Sequence, residues 1–380
     1  MRDTLNILQL HWGFLVGGGS RYVQGLEHMA RQHGISSHGL CILDPRWSAD
    51  EEGLNRISHT RITTHGRLDR SWVSHIATQI RTRHPDMLMT HGFNAHFVAW
   101  LAQFFARPRI PVICSYHGPY HAVNLGTRFV GYIYDRFTER FLRCNALAVV
   151  TVAEHAKASL VRKGVPAEKI TVIPNAIEDV AIDAAERPVW RQRWGVHDGE
   201  ILIGAVGRLD PIKGQMHLVR AFNVVATQHP SARLVLVGDG PDRERIEEEV
   251  RKSKHAERII LAGRISNASE VLPAFDIYVL PSMSECHSIA LLEAMRAALP
   301  VVATAVGGNI ETINGEREGL LVLAGDPAAM GDAIARLIRD REFARDLGIA
   351  SRQRFLRDFT QDLMLKKTAA WLGECRMKAG

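Results

Sequence analysis

The sequence is poor in the features that would place it outside the ordinary globular enzymes. No run approaches the roughly 18 consecutive apolar residues that a bilayer-spanning helix needs, and the opening "MRDTLNILQLHWG" lacks a basic segment followed by a long apolar one. The chain is therefore expected to stay in the cytoplasm. Cysteine is sparse: five residues, at 41, 114, 144, 286 and 375, with no CxxC pair. A disulfide framework and a structural zinc site are disfavoured, which fits a reducing compartment. Internal repeats and low-complexity tracts are absent. Two nucleotide motifs are incomplete. "LVLVGDGPDRERIEEEV" offers Gly238 and Gly240 but has Arg243 where the dinucleotide fingerprint needs a third glycine, and "GRLDPIKG" lacks the GKS or GKT ending of a P-loop. With 46% hydrophobic and 23% charged residues, disorder is not indicated.

What is present is an alternation. Short apolar runs, "LNILQL", "HGLCIL", "DMLMTHG", "PVICSYHG" and "ALAVVTVA", are separated by helix-length segments, and the series restarts with "ILIGAVGR", "ARLVLVGDG", "RIILAGR", "DIYVLPS", "PVVATAV" and "GLLVL". Continuous Val/Ile/Leu runs spaced this way read as parallel strands buried on both faces, hence two doubly wound α/β units. At 380 residues the chain is long enough for two cores. The expected division is a first unit over 1–180 and a second over 181–360, with a final helix at about 361–380 returning to the first. The polar stretch 175–196 reads as the hinge. Open α/β sheets bind ligands outside the carboxyl ends of their strands, so a cleft lined by those ends is expected.

Charge is uneven. Residues 1–165 hold 19 Lys and Arg against 11 Asp and Glu and carry 13 of the 18 histidines, whereas the remainder holds 28 against 30. This suits an anionic partner, or a basic surface that is simply solvated. No recognition motif for nucleic acid accompanies it.

Several stretches carry candidate chemistry. "GAVGRLDPIKGQ" follows a strand and precedes a helix, so Gly207, Arg208 and Lys213 gather at a helix start, where free N–H groups and two cations favour a diphosphate. Gly17, Gly18 and Gly19 follow the first strand and permit close backbone approach to a ligand. "SYHG" sets His117 at a strand end. "SMSECHSIALLEAM" holds Glu285 in a loop and Glu293 inside the following helix, both able to point into one pocket and accept paired hydrogen bonds from vicinal hydroxyls. Cys286 and His287 are adjacent, so their side chains diverge; a nucleophile–base pair or a metal site is a weak reading.

"GGGSRYV", "SYHG", "VIPNAI", "GRLDPIKG", "LVLVGDGP" and "ECHSIALLEAM…PVVATAVGGNIETI" together resemble the retaining glycosyltransferases of family 4, whose fold is GT-B, two Rossmann-like domains about a deep cleft. The last piece looks like the family's E-x7-E signature, here Glu285 to Glu293. The resemblance implies a nucleotide-sugar substrate and no metal or other cofactor. It assigns Arg208 and Lys213 to the donor diphosphate, Glu293 to the ribose, and Glu285 with the following amides to the donor sugar. Gly17 to Gly19, Gly207, Gly238, His287, Ser288 and Ile289 join the donor site, and His117 is set against the transferred sugar. The family commonly carries Gly-Phe-Gly after the first glutamate; Cys286, His287 and Ser288 stand there in this chain and change the lining of the sugar pocket.

The implied activity is hexose transfer to a glycan or lipid-linked acceptor in polysaccharide or glycolipid biosynthesis. A synthase with a small soluble acceptor and a non-catalytic nucleotide-sugar-binding subunit are the alternatives. "LGTRFVGYIYDRFTERFLRC" reads as a helix with Phe129, Ile133, Phe137 and Phe141 on one face and Arg128, Arg136, Arg140 and Arg143 on another. That pattern suits peripheral contact with an anionic membrane on the cytoplasmic side, or a core-facing helix whose arginines pair with Asp135 and Glu139.

Overall fold

A computed structural model describes residues 4–12, 34–43, 54–64, 71–105, 109–118 and 125–379. The chain divides into two compact units, residues 1–175 with 361–380, and residues 176–360.

The first unit holds a seven-stranded parallel sheet: β1 (Leu5–Trp12), β2 (Ile35–Leu43), β3 (His59–Thr63), β4 (Met87–His91), β5 (Val112–Tyr116), β6 (Ala148–Thr151) and β7 (Ile170–Val172), in spatial order β3-β2-β1-β4-β5-β6-β7. The central strands are buried almost throughout, which is why they read as unbroken apolar runs. β3 and β7 escape the sequence pattern. Both are edge strands, short and partly polar, with one neighbour each. The order reverses between β1 and β4, which pair in register from Ile7 opposite Met87 to His11 opposite His91. The helix Gln361–Ala379 belongs to this unit and buries Met364, Leu365, Trp371, Leu372 and Cys375.

The second unit holds six parallel strands, β8 (Ile201–Val206), β9 (Ala232–Val237), β10 (Ile259–Gly263), β11 (Ile277–Leu280), β12 (Val301–Thr304) and β13 (Leu320–Val322), ordered β10-β9-β8-β11-β12-β13. Here the reversal lies between β8 and β11, where Ile203 stands opposite Ile277.

The segment 175–196 departs from the hinge expectation over its latter part. Glu186–Arg193 is a helix of the second unit, with Pro188 in its first turn, where a missing N–H costs nothing. Arg187 and Arg191 lock it down by pairing with Asp276 at 2.6 and 3.0 Å, and the same carboxylate accepts the Leu202 amide at 2.7 Å. Polar residues that looked like a linker are thus spent on one ion cluster.

Candidate active site

In the second unit the functional side chains come from the two turns that leave β8 and β11, at the switch point of the sheet. After β8 the chain passes Gly207 and Arg208 into a single 3₁₀ turn, Pro211–Lys213, capped by the Asp210 carboxylate, which accepts the Ile212 amide at 3.1 Å. Gly214 then takes φ +67°, and a Cβ there would run into the Pro281 carbonyl. Glycine is required on both counts, and the two turns can therefore touch. Met283 donates its amide to the Ile212 carbonyl at 2.8 Å and stitches them. Gly238, at φ +142°, lies against the Gly207 carbonyl in the same way and presses the turn after β9 onto the turn after β8.

This packing brings together two of the residues singled out in the sequence. Lys213 Nζ lies 2.6 Å from Glu285 Oε1, and Ser282 Oγ donates to that same oxygen at 2.7 Å. The Glu285 side chain is 8% exposed and the Lys213 side chain 29%. Arg208 is more open, 65% exposed, and pairs with Asp210 at 2.7 Å. Its carbonyl accepts the Gln215 amide at 2.9 Å, which ties the turn to the helix Gln215–Gln228.

Glu293 is buried inside the helix Ile289–Arg296 and accepts the Ser269 hydroxyl at 3.3 Å. Burial raises the phenol pKa of Tyr278, on β11, and Glu293 and Glu285 both add to the shift. One buried phenol thus lies within electrostatic reach of both signature carboxylates. Ser288 is the N-cap of the helix, accepting the Leu291 amide at 3.3 Å; Ile289 is its first residue.

Cys286 and His287 do not form a reactive pair. Burial, with Glu311 and Glu285 adding to it, pushes the Cys286 thiol up to about 12, so the thiolate nucleophile is suppressed at neutral pH. The His287 ring is buried against Phe359, centroids 5.4 Å apart, with Nε2 3.4 Å from the Thr312 hydroxyl. Its side chain is committed to packing.

In the first unit His117 follows β5, and its Nε2 lies 2.9 Å from the Ser115 hydroxyl. It is not alone. His11 and His91, register partners at the ends of β1 and β4, stack with ring centroids 4.3 Å apart. His91 Nε2 lies 2.9 Å from Gln9 Oε1, so it is the donor there, and Gln9 in turn donates to Ser37 Oγ. His96 Nδ1 lies 2.7 Å from the Thr90 hydroxyl. Burial holds His117 at about 4 and His11 and His96 at about 3, and drives His91 well below the ordinary range. All four are neutral at neutral pH. Sequence reasoning picked only His117, yet the signal was there: "LQLHWG", "LMTHG" and "SYHG" each set a histidine at or next to the carboxyl end of a strand, with glycine close behind. Gly17, Gly18 and Gly19 lie outside the described residues.

Two parallel α/β units, the second with a cation–carboxylate pair at its strand switch point, define a doubly wound α/β class, and comparison with known proteins makes it specific. Residues 16–180 match the family model "Glycosyltransferase Family 4" and residues 186–354 match "Glycosyl transferases group 1". The chain belongs to the family 4 glycosyltransferases, with the GT-B type of fold. It is 26% identical over 303 residues to the N-acetyl-alpha-D-glucosaminyl L-malate synthase of Bacillus anthracis, covering 79% of this chain and 77% of that one. It is 25% identical over 368 residues to a GDP-mannose-dependent alpha-(1-6)-phosphatidylinositol monomannoside mannosyltransferase of Mycobacterium tuberculosis, covering 91% and 92%. Among solved structures, Anabaena HepE in complex with UDP and glucose superposes with a TM-score of 0.85 at 19% identity, covering 97% of this chain and 99% of that one.

Proposed function

We propose that the protein transfers a hexose from a nucleoside-diphosphate sugar to a glycan or lipid-linked acceptor, with retention of anomeric configuration, in polysaccharide or glycolipid assembly. The observation that carries this reading is the pairing of Lys213 with Glu285 across the turns after β8 and β11, with Arg208 open to solvent on the first of those turns. The known proteins support it: HepE was crystallised with UDP and glucose, and the mannosyltransferase is GDP-mannose-dependent.

The physical logic is charge. Cleaving the bond from anomeric carbon to phosphate leaves growing negative charge on the diphosphate and an oxocarbenium-like sugar. Arg208 and Lys213 stabilise the first, exchanging their carboxylate partners Asp210 and Glu285 for phosphate oxygens. Glu285, released in part from Lys213, accepts hydrogen bonds from the sugar, and Glu293 accepts them from the ribose. In this reading the two cations supply the charge a divalent ion would otherwise bring, and turnover survives a chelator. His117, neutral, lines the acceptor side of the sugar. The departing phosphate oxygen takes the acceptor proton, so no separate base is needed.

The test is a thermal-shift screen of UDP, GDP and ADP and their glucose and mannose conjugates on the full chain, followed by the anomeric assignment of the product. A ligand bound only by the folded state raises the melting temperature. No stabilisation by any of them would overturn the reading; an inverted product would overturn retention alone.

A further inference from the structure

We propose that Ser282 is a positioning residue for the donor site, fixing one carboxylate oxygen of Glu285 so that the other is presented to the hydroxyls of the transferred sugar. The inference rests on the reading of Glu285 as a sugar ligand.

Ser282 lies two residues beyond β11 and is fully buried, so no substrate reaches its hydroxyl. A carboxylate only accepts, so the 2.7 Å contact with Glu285 Oε1 has the serine as donor. The same oxygen receives the Lys213 ammonium at 2.6 Å. Two donors, one of them charged, occupy Oε1; Oε2 has no hydrogen-bond partner among the described residues. The serine is itself held. Thr304, the fully buried last residue of β12, donates its hydroxyl to the Ser282 carbonyl, and Asn309 donates to the Thr304 carbonyl at 3.0 Å. A chain of donors thus runs from Asn309 through Thr304 and Ser282 to Glu285, anchored in the sheet.

The geometry has a consequence for binding. An ion pair to a flexible lysine is a single point of attachment about which a carboxylate can turn, whereas a second donor from a rigid, buried residue fixes its plane. When Lys213 shifts toward a diphosphate, the Ser282 bond is what keeps Glu285 aimed. Ser282 therefore contributes to sugar recognition and not to nucleotide recognition.

The experiment measures two dissociation constants on the full chain, for the nucleoside diphosphate among UDP, GDP and ADP that stabilises the protein most and for its glucose conjugate. Their ratio isolates the sugar. In Ser282→Ala the conjugate is expected to lose about 10- to 100-fold in affinity, the scale of a hydrogen bond to a charged group, while the bare diphosphate changes by less than about threefold. In a Glu285→Ala background, which removes the acceptor, the serine substitution is expected to add less than about twofold to the ratio, since its only route to the sugar is gone. Ser282→Cys, which keeps the volume but donates weakly, is expected to behave as alanine and serves if the alanine variant does not fold. Equal losses for both ligands, or an equal loss with and without Glu285, would mean a purely structural serine and would overturn the inference. A Glu285→Ala protein with an unchanged ratio would instead sink the reading of Glu285 itself.

Discussion

The two sheets reverse their strand order in the same way and arm the reversal with opposite chemistry. Between β1 and β4 the first unit places His11 opposite His91, with His117 and His96 near them, all neutral. Between β8 and β11 the second unit places Arg208, Lys213 and Glu285, charged and paired. A neutral imidazole offers one donor and one acceptor and no net charge, which suits hydroxyl groups. A cation held by a carboxylate can trade that partner for phosphate, which suits a diphosphate. The same topology thus carries two kinds of polar chemistry, and the difference lies in a few side chains at each strand reversal.

The sharpest way to break the comparison is to remove charge from the second reversal. Lys213→Ala is expected to lower kcat by about 100- to 1000-fold, the scale of one lost charge-stabilising contact in a transition state. Steady-state turnover of the donor identified by thermal shift measures it. A near-normal rate would take Lys213 out of the mechanism and leave the second unit no more electrostatic than the first.

The first unit is tested by acid. His11 and His96 titrate at about 3 and His117 at about 4 in the folded unit, and His38 is held at about 4 by burial with Arg83 and His59 adding to it. In the unfolded chain they titrate at about 6.5. Between those values the unfolded state binds protons that the folded state refuses, so stability falls as pH drops from 6.5 toward 4 and is indifferent to these groups above 6.5. At pH 5 the cost is about 2 kcal/mol for each imidazole kept neutral. In the second unit His229 is also shifted down, by burial with Arg339 adding to it. Hydrogen–deuterium exchange, pulsed at a common pH after incubation at pH 7.5 or 5, is expected to show protection lost first in β1 and β4 and kept in β8 and β11. Uniform loss across both sheets would erase the contrast.

How much of this was legible follows the same division. All six strands of the second sheet read from the sequence because each is an apolar run, buried almost throughout in β8, β9, β11 and β12, and Arg208, Lys213, Glu285 and Glu293 could be singled out because they lie in short contiguous motifs. The pairing of Lys213 with Glu285 could not. It depends on Gly214 pressing against Pro281, a contact across 67 residues that no local pattern encodes. In the first unit β3 and β7 were missed because edge strands need no apolar run, and the histidines were counted but not assembled, since residues 11, 91, 96 and 117 meet only once the strand order is known. His287 was read into the donor site from the family resemblance, and its packing against Phe359 is a fact of tertiary structure that no local pattern encodes.

The smallest expected effect concerns the helix Leu125–Cys144. The core-facing half of its sequence reading has a direct counterpart. Phe141 is buried, Phe137 packs edge-on against Phe97 and Trp100, and Glu139 takes Arg136 at 3.3 Å and Lys163 at 3.0 Å, as in a core-facing helix. Yet Tyr132 and Ile133 are 61% and 49% exposed beside the exposed Arg136 and Arg140, and an ion pair that open contributes little against competition from lipid. Near an anionic surface each arginine adds about 1 kcal/mol, so two of them with two exposed apolar side chains give weak binding that salt reverses. Flotation with phosphatidylcholine vesicles, with and without phosphatidylglycerol, is expected to carry a minor fraction of the protein only in the anionic set at low salt, and Arg136→Glu with Arg140→Glu to abolish it. Flotation unaffected by that double reversal would place the contact elsewhere on the first unit, and none at low salt would leave its basic surface to solvent.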